Sequence, residues 1–514
     1  MRAWWIFACV HLLGNSGSGE ANVTGSCKAS ALSGSLCEVS VGAWTADQVS
    51  EWISDVVGLT QYGDAFVQQD VDGQTLLAGL TLADLKDVGI YSLGHRKRVL
   101  RSLTELLELA ERQHAQAQLM PLEEFELLHA CPVESHSKQI GEDLQLWRTG
   151  TELGNPVTRE YLDDIFEATP CLFRFLIYGG QLWIRFNGLS CVDHPGWEEQ
   201  EGSYFAGWLS QLLRSGVRVP DVEFLVLGRD RPISALHDPA PIFAVSKTRS
   251  HADILFPDPD ALHDRQDTPG GCLQEESTFS RTAFEDRKPI LLWRGSFAGG
   301  TREKPMRLGD YKILPRARLV QLSERYPELI DAGFQDGNHE YGVPPKVYEN
   351  QAFNDWHTSH KKSKLSYLEQ TEFRFLAVVD GVSGTNRFPC MLLSGSTVFK
   401  QTSPYYQWYD NMLVPWKHFV PVSYDLHDLP ALVEAARKNL TQMGEMAAEA
   451  RKHLKRHFSL EGKFCYMTRL LMAYRAVSFA PPSPGSGWLR LAPGEVDLKA
   501  QIQISLGRPV GAGP

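Results

Sequence analysis

The stretch FRFLAVVDGVSGTNRF, residues 373–388, decides the fold. Its first half is a short apolar run bounded by a turn signal, which reads as a strand buried on both faces. Asp380 and Gly381 end the run. The turn Gly381-Val382-Ser383-Gly384-Thr385-Asn386-Arg387 then leads into the apolar segment FPCMLL. A glycine-bearing turn that opens a helix presents backbone N–H groups to an anion, and an arginine beside it adds a two-pronged charge.

The same texture repeats outward from this point. VEFLVLGRD (222–230), PIFAVSKT (241–248), PILLWRGS (289–296), STVFK (396–400) and HFVPVS (418–423) read as further buried strands. Helical runs at Tyr204 to Ser215, Ala317 to Tyr326 and Leu429 to Asn439 lie between them. Alternation of this kind predicts α/β architecture, with parallel sheets and ligands at the carboxyl ends of strands. The strands form two groups separated near residue 285, which suggests Rossmann-type halves at 124–285 and 286–475 with a cleft between them. Trp293-Arg294-Gly295-Ser296 ends one strand. Arg294 and Arg316 join Arg387 as candidates for an anion site.

Ahead of the strands lies a helical unit, residues 41–110. Thr45 and Gln48 make a capping box, Trp44 staples the first turn, and Val49, Trp52, Ile53, Val56 and Val57 recur at helical spacing. Short helices follow near Tyr62 to Phe66, Gln74 to Leu80 and Ala83 to Val88. A final helix opens near Gly94 and carries Val99, Leu100, Leu103, Leu106 and Leu107. Five short helices closing on LKDVGIYSLGHRKRVL resemble a SAM domain, which implies self-association or a partner protein.

The first residues read as a signal peptide, 1–19. Arg2 precedes the apolar Ala3 to Leu13, and small residues follow to Gly19. No later segment is long and apolar enough to span a bilayer. The expected location is therefore the lumen of the secretory pathway, or outside the cell. A net charge of -11 argues against a nucleic-acid partner, whose footprint would be basic. The nine cysteines form no CxxC pair, so a zinc ribbon is not expected. For Cys171, Cys191, Cys272 and Cys390, disulfides and buried free thiols both fit. Asn22 and Asn439 begin Asn-x-Thr triplets open to glycosylation in that compartment. Residues 480–514, rich in Pro and Gly, read as a loosely ordered tail.

PILLWRGS, AVVDGVSGTNRFPCMLLSGSTVFKQ and LVPWKHFVPVSYDLHDL, in this order and spacing, closely resemble glycosyltransferase family 90. The resemblance covers about Cys131 to Met472. It implies a GT-B-like pair of domains, a UDP-sugar donor, no metal or other cofactor, and inversion at the anomeric carbon. Carried over by position, Asp230 matches the catalytic base, with Arg229 beside it. Ser296 and Arg316 match donor contacts, and Val382, Ser383, Gly384, Thr385, Asn386 and Arg387 match the diphosphate loop. Cys131 and Cys465 fall where the family places a disulfide, worth on the order of 4 kcal/mol by loop entropy. Together these imply transfer of glucose or xylose to a hydroxyl on a protein Ser/Thr or a glycan.

Three departures stand out. DPDALHDRQDTPGG replaces a segment usually rich in aromatics, Gln407 stands where an acid is common, and NRF replaces FRF. The alternative is a SAM-containing scaffold with an inactive transferase-like half. Retention of Asp230, Ser296, Arg316 and Arg387 together argues against it. Asp258-Pro259-Asp260 has the DxD form of a manganese site, but its proline setting favours a solvated acidic loop.

Overall fold

The computed structural model describes residues 41–148, 156–187, 189, 197–229, 231–257, 282–297, 310–335, 350–381, 383–385 and 387–491. The signal segment, Asn22, Asp230, Cys191, Cys272, Asp258, Asp260, Val382, Asn386 and the tail beyond 491 lie outside the described residues. Two compact units emerge, one built chiefly from residues up to Leu119 and the other from Met120 onward.

The first unit is the helical one. Its helices are Ala46–Asp55, Gly63–Gln68, Gly73–Ala78, Leu82–Asp87 and Leu93–Ala117. Thr45 and Gln48 form the expected capping box, Asp72 caps the third helix, and Thr81 with Asp84 forms a second box. Val49, Trp52, Ile53, Phe66, Leu76 and Val99 close a core of their own.

The second unit is α/β. Its strands are β1 Leu172–Tyr178, β2 Gln181–Phe186, β3 Val222–Leu227, β4 Ile242–Ala244, β5 Lys247–Thr248, β6 Ile254–Leu255, β7 Lys288–Gly295, β8 Ile330–Phe334, β9 Phe373–Val378, β10 Thr397–Gln401, β11 Tyr405–Tyr406, β12 Val420–Val422 and β13 Leu489–Leu491. One sheet runs β13-β2-β1-β3-β4-β6, the other β12-β10-β9-β7-β8, and β11 pairs with β5 in a short ribbon.

The second sheet is parallel at every pairing, as the strand–helix alternation predicts. The first differs from expectation. β3, β4 and β6 are parallel, but β1 runs antiparallel to β3 and β13 antiparallel to β2. Gly179 and Gly180 explain part of this. Both adopt left-handed φ (59° and 71°), a two-residue turn that folds β2 straight back beside β1. Within 480–514, read as a loose tail, Leu489–Leu491 pairs with the open edge of β2, and residues beyond 491 lie outside the described residues.

The helix Leu460–Val477, grouped by sequence with the C-terminal half, is tied back to the start of the unit. Arg469 donates to Glu126 at 2.7 Å, and Cys465 is bonded to Cys131. Cys171 and Cys390 each take part in a disulfide, which decides between the two readings left open for them. Among the described residues, no helix is long and apolar enough to cross a membrane.

Candidate active site

The order β8-β7-β9-β10-β12 places β8 on one side of β7, while the chain returns through β9 on the other. The topology therefore reverses between β7 and β9, and a parallel sheet opens a crevice just beyond the carboxyl ends at that point. Gly295 and Ser296 end one of the two strands, and Asp380 and Gly381 follow the other. The fold thus brings together two motifs about eighty residues apart in sequence.

Arg316, near the start of the helix Pro315–Arg325, spans this opening. Its Nη1 donates to the Ser296 carbonyl at 3.0 Å and to Ser296 Oγ at 3.3 Å, and its Nε to the Asp380 carbonyl at 3.1 Å. Its guanidinium lies 5.8 Å from the centre of the Trp293 ring. Gly381 permits this approach, since a Cβ there would stand 2.7 Å from Arg316 Nη2.

Arg387 enters from the other side, donating to the Arg294 carbonyl and, at 2.9 Å, to Gln370 Oε1. Both guanidiniums line one small cleft with Leu292, Thr385 and Met391. Burial pushes the Arg316 guanidinium down to about 10, and the charge of Arg387 pushes the same way. Arg316 remains a cation at neutral pH. The repulsion between the two guanidiniums is relieved by an anion placed between them.

The remaining loop residues fill supporting positions. Ser383 and Thr385 are buried, and the Gly381 N–H donates to the Ser383 carbonyl at 3.2 Å. The helix after the loop, Phe388–Leu393, has only six residues. Its dipole is correspondingly small, so the positive field rests mainly on the two arginines.

Arg294, expected on the donor, lines the same cleft, and its guanidinium pairs with Asp331 Oδ2 at 2.9 Å and donates to the Asp331 carbonyl at 2.9 Å. The register places Gly333 opposite Arg294 on β8, two residues beyond Asp331. An arginine this buried needs a counter-ion, and Asp331 supplies it.

The opposing wall comes from the first sheet. Arg229 follows β3, and Asp230, the residue matched to the base, lies outside the described residues. The loop beyond is pinned by Asp253, which accepts the Ile233 and Ser234 N–H groups at 3.2 and 3.1 Å. Arg231 from this loop and Asp380 from the other sheet both act electrostatically on Tyr405. The β5–β11 ribbon crosses here, with Tyr405 opposite Thr248 and Tyr406 opposite Lys247. Below it Lys247 pairs with the fully buried Asp143 at 2.5 Å. Asn439, the sequon residue, is exposed between two helices.

Sequence reasoning missed several residues that shape the site. Gln370 steers Arg387. Gln401 accepts the Asp380 N–H at 3.0 Å, and Lys400 faces the Asp380 carboxylate. The polar pair ending VFKQ, on a strand whose neighbours are apolar, was the available signal.

The chain thus carries a helical unit followed by a mixed α/β unit, whose parallel sheet has a crevice lined by arginines at its switch point. The chain belongs to glycosyl transferase family 90, whose sequence profile matches residues 127–491. The SAM domain (sterile alpha motif) profile matches residues 41–107. Among curated proteins, the chain is similar to human protein O-glucosyltransferase 3, 25% identical over 307 residues, covering 57% of this chain and 54% of that protein. Protein O-glucosyltransferase 2 of Danio rerio is 25% identical over 334 residues, covering 63% and 59%. Human protein O-glucosyltransferase 1 is 25% identical over 268 residues, covering 50% and 63%. The chain therefore spans little more than half the length of the curated relatives it matches.

Proposed function

We propose that the α/β unit is an inverting, metal-independent glycosyltransferase that moves glucose or xylose from a UDP-sugar to a hydroxyl of a protein Ser/Thr or a glycan. The observation that carries this reading is the pair Arg316 and Arg387, two half-buried cations lining one cleft at the switch point of a parallel sheet. Fixed charge of this kind stabilises a departing diphosphate as negative charge develops on it.

In this mechanism Asp230 takes the proton from the acceptor hydroxyl as the oxygen attacks the anomeric carbon. The bond from that carbon to the diphosphate oxygen breaks, and UDP leaves between the two arginines. The relatives' names, protein O-glucosyltransferases, favour a protein acceptor and glucose. The reading includes entry into the secretory pathway through residues 1–19, glycosylation at Asn22 and Asn439, and association through the SAM domain.

A panel of UDP-sugars assayed for slow hydrolysis, then for transfer to candidate acceptors, tests the donor. Asp230→Asn tests the base. It should keep UDP affinity while transfer falls roughly 10²–10⁴-fold, the usual worth of a general base. Transfer above about a tenth of the parent rate excludes Asp230 as the base.

A further inference from the structure

Asp380 follows the central strand β9 and opens the glycine loop, and both its backbone N–H and its carbonyl are hydrogen-bonded. Its N–H donates to Gln401 Oε1 at 3.0 Å, and its carbonyl accepts Arg316 Nε at 3.1 Å. Gln401 is in turn anchored, donating to the Tyr424 carbonyl at 2.6 Å. The side chain is only 5% exposed. One carboxylate oxygen, Oδ1, stands 3.3 Å from Lys400 Nζ. The other, Oδ2, is buried and has no hydrogen-bond partner.

An ionised carboxylate has room for about four hydrogen bonds, and a buried polar oxygen without one is costly. Most buried polar atoms in folded chains are satisfied, so an orphaned one at the lip of a binding crevice points to a ligand group. The charges around it fix its character. Lys400 is the cation beside it. Asp410, which burial pushes up to about 6, is the neighbouring acid, and its carboxylate accepts the Gln407 N–H. Lys400 and Arg316 already supply cationic charge to this carboxylate, so the missing partner is a neutral donor.

Direction follows from the same contacts. The diphosphate lies between Arg316 and Arg387, and Asp380 is bonded through its carbonyl to Arg316. The loop it opens also packs on Tyr405, since a Cβ at Gly384 would lie 3.4 Å from Tyr405 Cβ, and Tyr405 pairs with Thr248 of β5. Asp380 therefore lies on the side of the diphosphate that faces β3 and the acceptor wall. The group on that side is the transferred sugar, not the nucleoside.

We infer that Asp380 Oδ2 accepts a hydrogen bond from a hydroxyl of the sugar carried by the nucleotide donor, making Asp380 a determinant of which sugar is moved. The inference rests on the transferase reading. It adds a recognition site for a neutral polyhydroxyl group beside the cationic diphosphate site.

The test is calorimetric and needs no turnover. UDP and UDP-glucose are titrated into the full chain and into Asp380→Asn. The amide keeps size and shape but replaces the charged acceptor. UDP affinity should stay within about 2-fold, while UDP-glucose affinity falls about 10–100-fold, the worth of one hydrogen bond to a charged group. Equal loss for UDP and UDP-glucose makes Asp380 structural or a ribose contact and overturns the inference. No loss for either ligand overturns it as well.

A second measurement uses the parent chain alone, so it survives any folding failure of the variant. Monodeoxy UDP-glucoses, each lacking one hydroxyl, are compared with UDP-glucose. One position should lose about 10-fold or more, because a site built to bond a hydroxyl rejects the analogue without it. If no position loses affinity, no sugar hydroxyl meets a buried carboxylate and the inference fails. If the parent binds neither UDP nor UDP-glucose, the transferase reading itself has failed.

Discussion

The helical unit and the α/β unit are stabilised over different distances along the chain. In the helical unit the capping contacts that start helices span three residues, as from Thr45 to Gln48 and from Thr81 to Asp84. In the α/β unit the polar ties span far more. Arg174 reaches Glu223 across 49 residues, Lys247 reaches Asp143 across 104, and Arg469 reaches Glu126 across 343. The disulfide Cys131–Cys465 closes 334. Local capping lets a small unit form on neighbouring sequence alone. A two-sheet unit must bring distant charges together, and these then hold the walls of its crevice in register. The two should unfold as separate transitions with different sensitivities.

The largest separation is expected from Lys247→Met. It leaves Asp143 buried without its cation, a loss of about 3–5 kcal/mol. Calorimetric scanning should show the α/β transition falling by several degrees while the helical transition stays in place. If both move together, the units are not independent.

Acid should divide them next. His136, His418 and His457 are held down to about 3, 4 and 4, mainly by burial and further by cationic neighbours such as Arg469, Lys417 and Arg456. His453 stacks on His418 with ring centroids 4.5 Å apart and is also lowered. Glu449 opposes these shifts at His418 and His453. All four histidines titrate near 6.5 in the unfolded chain, so below that pH the unfolded state binds protons that the folded state refuses. Their contribution is therefore fully present above about 6.5 and declines as pH falls toward 4. The helical unit carries His95 alone, between 41 and 110. Asp253 and Asp410, which burial raises to about 7 and about 6, take up protons in the folded state over the same range and oppose this loss. Scans from pH 7 to 5 should therefore lower the α/β transition by less than the four histidines alone would, and move the helical one far less.

The smallest effect runs the other way. Thr45→Ala removes one side-chain cap, worth about 1 kcal/mol. It should lower only the helical transition and leave UDP binding untouched.

The difference in reach also explains what was legible in the sequence. β3, β7, β9 and β10 are mostly apolar runs next to turn signals, so local pattern suffices. β1 reads LFRFLIY, and Arg174 interrupts the run. Its burial makes sense only once Glu223 and Asp163 stand beside it, and neither is near it in sequence. β13 exists because β2 offers an open edge, which no window over residues 489–491 can show. In the site, Arg316 and Arg387 were readable as cations following or flanking strands. The pairing of Arg294 was not readable, because its partner Asp331 lies across the sheet. Asp380 was visible as the end of a strand. Its unpaired oxygen became visible only when Lys400, Gln401 and Arg316 were in place around it.

The central claim is that a nucleoside diphosphate sits between Arg316 and Arg387 without help from a divalent metal. Its most direct test is UDP titration into the full chain, with EDTA present, for the parent and Arg387→Ala, both confirmed folded by their thermal transitions. The account predicts measurable binding to the parent and a loss of about 30–1000-fold in the variant, the worth of a charge-assisted contact in a buried site. UDP binding that needs added manganese, or that is equal in parent and variant, contradicts it.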